Sequence, residues 1–237
     1  MRTWRRRGAA LAVSLLLTAS RGAAIMAAAE EAAESSGAAM MRCRDRAASA
    51  VQSRYDGVRD VSAKFEQTTR PASLGSLASK PLVSRGRVVI AKPGRMRWTY
   101  EEPEPSLVVS DGETLWLFDP KFGEVQKIPA GEGFLTGAAA QFLLGAGDMR
   151  RDFNVTAMSC RASEAELELV PRQPASYEKL FLLVDPSSGE VHGTRIVDLL
   201  GNVVGVEFHD LRFNQNPGGS EFRFQAPVGV KVIEVSP

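Results

Sequence analysis

Apolar and polar residues alternate with a period of two along most of the chain beyond Val61. Val61, Ala63 and Phe65 alternate with Ser62, Lys64 and Glu66. Val88 and Ile90 alternate with Arg87 and Val89, and Met96, Trp98 and Tyr100 with Arg95, Arg97 and Thr99. Side chains two apart share one face of a strand, so these runs predict strands with one apolar face. Pro93-Gly94 is a turn signal between the last two. The Asp-Gly of Ser110-Asp-Gly-Glu113 predicts a hairpin pairing 106–111 with 114–119, and 124–129 extends the meander. Later strands are predicted around Val155, over 164–169, over 180–184, at 190–199, at 204–209 and at 221–225, where Phe222 and Phe224 alternate with Glu221, Arg223 and Gln225.

Two stretches break this period. Residues 43–56 place Ala47, Ala50, Val51, Arg54 and Tyr55 at helical spacing, and Gly57 is a stop signal. Residues 130–148 are rich in Gly and Ala, and Phe134, Ala138, Phe142 and Gly145 fit a short helix. The pattern predicts a mainly β (α+β) protein: a single curved antiparallel sheet with a wet convex face and an apolar concave face capped by a few short helices. Two helices are scant cover for so many strands, so an underfilled apolar hollow follows, the usual form of a ligand site. A plain sandwich with a dry core is the alternative.

The ends and the cysteines alter this picture. Arg2, Arg5, Arg6 and Arg7 precede the apolar run 8–19 and then small residues, the layout of a secretory signal peptide. Cleavage after Ala24 or Ala29 suits the small residues there. The expected organisation is a leader over 1–29, a flexible start over 30–42 and one domain over 43–237, exported as a soluble monomer. A twin-arginine route or an uncleaved anchor is the alternative. In an oxidising compartment the pair Cys43 and Cys160 suggests a disulfide, with two buried thiols as the alternative.

A net charge of +1, without a basic stripe, argues against nucleic acid. Two Cys and two His give no metal-ligand spacing, and no cofactor motif is present. His209 and Asp210 are adjacent on a strand and face opposite sides, so they make a poor acid/base pair. His192 follows a turn. The carboxylates of Glu101, Glu102 and Glu104 lie in a proline corner, and Glu164, Glu166 and Glu168 form a wet strand face. No catalytic site is read.

Several segments resemble the LolA family of periplasmic outer-membrane lipoprotein carriers: FEQT (65–68), IAKPGRMRWTYEEPEP, LVVSDGETLWLFDP, FLLG (142–145) and FRFQAPVGVKVI. They occur in the family's order over about 43–235. The resemblance implies a half-open β-barrel capped by helices. It implies a chaperone in lipoprotein transport that takes acylated lipoprotein cargo from an inner-membrane ABC-type extractor to an outer-membrane receptor. The segment 137–147 suits a movable lid. Where well-studied members have an arginine that ties the lid shut through backbone carbonyls, this chain has Lys92. An aromatic linked to docking on the extractor falls near Met96.

The expected cavity wall is Phe65, Val88, Ile90, Met96, Trp98, Tyr100, Leu107, Val109, Leu115, Leu117, Phe142, Leu143, Phe222 and Phe224. If Leu115 and Leu117 point in, Trp116 and Phe118 point out and would offer a partner surface. A general lipid or glycolipid shuttle shares all these residues. A regulatory module that binds an anti-sigma partner is a further reading of the same half-barrel. A lipid hydrolase would need a nucleophile and base that are not found.

Overall fold

The computed structural model describes residues 16–72, 80–129 and 148–235, with side chains from residue 33. The chain divides into two compact units, Met1–Arg42 and Cys43–Pro237. The first helix, α1, runs Leu16–Gly57. It stops at Gly57 as expected, and the segment 30–42, expected as a flexible start, lies within its span.

The second unit is one twelve-stranded sheet. Its strands are β1 (Asp60–Arg70), β2 (Leu82–Ala91), β3 (Arg95–Glu102), β4 (Ser106–Asp111), β5 (Thr114–Asp119), β6 (Glu124–Pro129), β7 (Phe153–Cys160), β8 (Ala165–Pro171), β9 (Tyr177–Val184), β10 (Val191–Asp198), β11 (Val203–Phe213) and β12 (Lys231–Glu234). A four-residue helix, α2 (Met149–Asp152), leads into β7, and Asp148 caps it by accepting from the Arg150 and Arg151 amides. The spatial order is β12-β6-β5-β4-β3-β2-β1-β11-β10-β9-β8-β7. Two antiparallel meanders therefore meet where β1 pairs with β11. Every other pairing is antiparallel except that of β12 with β6, which is parallel.

Turn chemistry fixes the local registers. In the β4–β5 hairpin, Gly112 has φ +102° and Asp111 Oδ1 accepts from the amides of Glu113 (2.9 Å) and Thr114 (2.8 Å). A two-residue turn leaves the ladder to run Ser110↔Leu115, Val109↔Trp116, Val108↔Leu117 and Leu107↔Phe118.

From Cys43 onward, α1 lies over the concave face. Cys43, Ala47, Val51 and Tyr55 recur every four residues, and with Ala48 they join the buried cluster formed by the sheet. The small Ala47 and Ala48 let the helix come close. At Gly189 (φ +72°) an added Cβ would overlap the Ala50 carbonyl, so the β9–β10 turn also meets the helix backbone directly.

The chain beyond β11 folds back across the convex face. Asp60, 6% exposed, is the pin: its carboxylate accepts from the Gln215 amide (2.7 Å) and the Asn216 amide (3.1 Å), and its carbonyl accepts from the Asn214 amide (2.9 Å). Asn214 and Asn216 take the left-handed backbone this reversal requires, a conformation that asparagine tolerates. Phe222 ends a 3-10 turn over Gly219–Phe222, so the strand expected at 221–225 is not formed. The turn is held there by Arg97, whose Nη1 donates to the Glu221 carbonyl at 3.2 Å, and by Arg95, which lies over the Phe222 ring at 5.1 Å.

Candidate functional site: the concave apolar face

Residues opposite one another in a ladder share a face, so the registers identify the wall. One row is Val61, Ile90, Met96, Ser110, Leu115 and Ile128. The next is Ala63, Val88, Trp98, Val108 and Leu117. The third sets Phe65 opposite Gly86, and Gly86 opposite Tyr100. Gly86 lets the backbones come close, because a Cβ there would overlap the Thr99 carbonyl and also crowd Phe65 Cε1 at 3.0 Å. The Phe65 ring packs on Trp98 at 4.7 Å and edge-on to Tyr100 at 5.2 Å. Phe208 lies opposite Phe65 across the β1–β11 pair and continues the face towards Leu180, Leu182, Leu167 and Leu169.

The expected wall therefore divides into three groups. Phe65, Val88, Ile90, Met96, Trp98, Tyr100, Leu115 and Leu117 all belong to the concave face. Leu107 and Val109 do not. They share the opposite face with Trp116 and Phe118, because the two-residue turn pairs odd positions on β4 with even positions on β5. Phe222 and Phe224 also lie on that outer side. Phe224 packs on Phe118 (5.7 Å) and Trp116 (6.3 Å), and Phe222 is almost wholly buried. Together with Val109 and Val125 these rings form a second small core on the convex face. Trp116 and Phe118 do point out as inferred, but the returning chain covers them, so they are not a bare partner surface. Phe142 and Leu143 lie outside the described residues.

The sequence reading missed Val108, Ile128, Val206 and Phe208. The signal for Val108 was present: a two-residue hairpin loop closing on Asp111 and Thr114 places Val108 beside Leu117.

Met96 is 5% exposed and sits in the wall under neighbouring side chains. A docking role at Met96 would require this position to be uncovered first. Lys92 is half-buried, and its ammonium Nζ donates to the Tyr55 carbonyl at 2.5 Å. It thus ties the β2–β3 turn to the last turn of α1, where the helix leaves carbonyls unpaired and favours a cation. Its amide also donates to the Arg59 carbonyl at 2.8 Å. Burial lowers the Lys92 pKa, and Asp56 opposes that shift.

Other polar ties hold the helix end. Arg54 pairs with Glu190 and lies over the Phe213 ring at 4.3 Å. Tyr55 Oη accepts from the Val191 amide at 3.3 Å. At the other end of this segment Cys43 is bonded to Cys160 on β7, with their Cα atoms 6.4 Å apart, within the usual disulfide range. Beneath Tyr55 the space bounded by Val61, Ala63, Val88, Ile90, Val191, Phe208 and Leu211 is only about 10 Å³. At this end, the helix and sheet are in close contact.

Burial pushes the Tyr55 hydroxyl up to about 12. Its folded pKa lies above the unfolded value of about 10, so the neutral ring's contribution is complete below pH 10 and is lost as pH rises to about 12. Unfolding midpoints in urea from pH 9 to 12 are expected to fall more steeply for the wild type than for Tyr55→Phe. Parallel curves would contradict the burial of this hydroxyl.

Among the described residues the candidates Asp210 and His192 each sit beside a charged partner. Asp210 pairs with Lys64 at 2.8 Å, which lowers its pKa, and takes φ +55° at a bulge. His192 lies 3.8 Å from Glu190. Among the described residues no group of three His, Cys, Asp or Glu is placed to hold a metal. No described helix is long and apolar enough to cross a membrane.

The LolA resemblance implied a half-open β-barrel capped by helices, and the apolar concave face of this sheet beneath α1 agrees with it. The sequence pattern of the outer membrane lipoprotein carrier protein LolA family matches residues 56–225. This chain belongs to that family. An outer-membrane lipoprotein carrier protein of Methylobacillus flagellatus is 27% identical over 187 residues, covering 76% of this chain and 90% of the relative. One from Dechloromonas aromatica is 29% identical over 190 residues, covering 78% and 88%. The crystal structure of a LolA superfamily protein from Nitrosomonas europaea aligns with a TM-score of 0.43 at 14% identity, covering 76% of this LolA-family chain and 97% of its own.

Proposed function

We propose that this protein is a periplasmic carrier that holds the acyl chains of lipoproteins against the concave face. In this reading it accepts them from an inner-membrane ABC-type extractor and delivers them to an outer-membrane receptor. The observation that carries the reading is the continuous apolar wall from Leu115 through Trp98 and Phe65 to Phe208, covered by a helix whose underside is mainly alanine and valine. Family membership supports lipoproteins as the cargo class. An acyl chain gains about 0.8 kcal/mol for each buried CH₂, so transfer through water needs such a surface. Release needs a cover that lifts. Among the described residues the polar ties at the C-terminal end of α1 include Lys92 to Tyr55, Arg54 to Glu190, and Tyr55 to Val191. The segment 137–147 and the leader 1–29 are part of this proposal, as lid and export signal. No covalent step is required.

Native mass spectrometry of the mature protein, purified gently from a host envelope, tests the reading. A co-purifying lipid-modified N-terminal peptide supports it. Phospholipid or glycolipid alone replaces it with a general lipid shuttle. An empty protein that takes up no fluorescent acyl probe overturns it.

Lys92 supplies a second test. Lys92→Met removes the donor to the Tyr55 carbonyl and keeps much of the alkyl stem. Acyl-probe exchange, followed by stopped-flow fluorescence, is expected to speed up several-fold, with a stability loss of about 1 kcal/mol. Lys92→Arg, which keeps a donor, is expected to exchange near the wild-type rate.

A further inference from the structure

Two buried side-chain donors have no partner among the described residues: Arg54 Nε and Trp98 Nε1. Arg54 already uses its guanidinium on Glu190. Trp98 has nothing. Its ring stands in the middle row of the concave face, between Val88 and Val108, and within 4.7 Å of the Phe65 centroid and 6.4 Å of the Phe208 centroid. The nearby polar groups are engaged with each other. Tyr100 Oη donates to Gln67 Oε1 at 3.0 Å, and Ser110 Oγ donates to the Gly94 carbonyl at 3.0 Å. An indole N–H can only donate. Buried polar groups in native proteins nearly always have a partner, and an orphan at a binding surface calls for one.

Hydrocarbon cannot accept this bond, but the carbonyl that joins an acyl chain to its carrier molecule can. We infer that the Trp98 indole N–H holds the carbonyl oxygen of a fatty-acyl ester or amide. The inference rests on the proposed acyl-carrier function and adds what that function leaves open: the depth at which the ligand stops, and a preference for acylated over alkylated ligands. The rings around Trp98 would hold the first carbons of the chain, while the carbonyl finds a buried donor that has no partner among the described residues. A site built to hydrogen-bond a ligand group discriminates against the analogue lacking it, because the buried donor is then left unpaired.

The test uses matched pairs of ligands. One pair is dipalmitoyl phosphatidylglycerol and its dialkyl-ether analogue. The other is a synthetic diacylated lipopeptide and its dialkyl-ether analogue. Each is titrated against the full mature protein by displacement of a fluorescent acyl probe. The wild type is expected to bind the ester of at least one pair about tenfold more tightly than the ether, and Trp98→Phe, which keeps an aromatic ring without the donor, to bind both equally. The pair that binds more tightly identifies the source, phospholipid or lipoprotein. Equal affinity for ester and ether in the wild type overturns the inference without recourse to the variant. A preference that survives in Trp98→Phe also overturns it. If acyl probe and all four ligands fail to bind, the carrier reading falls, and this inference with it. In wild-type protein labelled with indole ¹⁵N, the Trp98 Nε1–H resonance is expected to shift downfield with ester ligand and to stay in place with ether.

Discussion

Phe65→Ala is expected to cost about 3–5 kcal/mol of stability, the range for removing a fully buried ring from a packed core. Phe65 is 2% exposed. It sits on the central strand β1, opposite Gly86 on one side and Phe208 on the other, so neither neighbour can fill the gap without backbone movement. Trp98 and Tyr100 lose their main aromatic contact as well. Urea unfolding measures the cost directly. The carrier reading adds a second expectation. The vacated space lies on the proposed acyl surface, so a saturating acyl ligand should restore more stability to the variant than it adds to the wild type, by the linkage between binding and folding. A loss below about 1 kcal/mol would mean that the face is loosely packed around Phe65. An equal ligand-induced rise in Tm for both proteins would place the acyl chain elsewhere.

Replacing Cys43 and Cys160 with serine is expected to cost about 2–5 kcal/mol, the usual effect of removing a native disulfide. The bond closes a loop with a sequence separation of 117, and chain entropy alone gives about 4–5 kcal/mol for a loop near that length. It has a local role too. Among the described residues β7 is the last strand of the sheet and pairs only with β8. The disulfide fastens that edge to the helix, while Lys92, Arg54 and Tyr55 fasten the other end of the segment. Reduction should therefore loosen β7 before the centre of the sheet, and hydrogen exchange by mass spectrometry can follow this. Protection is expected to fall first over 153–160 and 43–48. Uniform loss across all strands would show that the bond stabilises only through the unfolded chain.

Some of the site was legible because it is written locally. Period-two alternation placed Phe65, Val88, Ile90, Met96, Trp98 and Tyr100 on one face, since parity along a strand needs no tertiary information. Asp111-Gly112 fixed the β4–β5 turn. Correctly used, that turn also fixes the register, and it moves Leu107 and Val109 to the far side. Their assignment to the wall failed by parity alone. The Lys92 position could be read as a latch only through the family resemblance. Its bond to the Tyr55 carbonyl spans 37 residues, and no local pattern predicts it.

The sequence by itself determined the strands from β1 to β11, the turn after Ser110, the apolar stripe of α1 from Cys43 to Tyr55 and the apolar face beneath it. Each depends on the spacing of neighbours. The tertiary structure alone decided where the chain goes after β11. Asp60 captures the amides of Gln215 and Asn216, the chain crosses the convex face, Phe222 and Phe224 cover Val109, Trp116 and Phe118, and β12 joins β6 in parallel. The same alternating aromatics suit a strand over a wall or a strap over the back of the sheet. The choice rests on the amides of Gln215 and Asn216 finding the buried Asp60 carboxylate 155 and 156 residues away, a pairing that local propensity cannot encode.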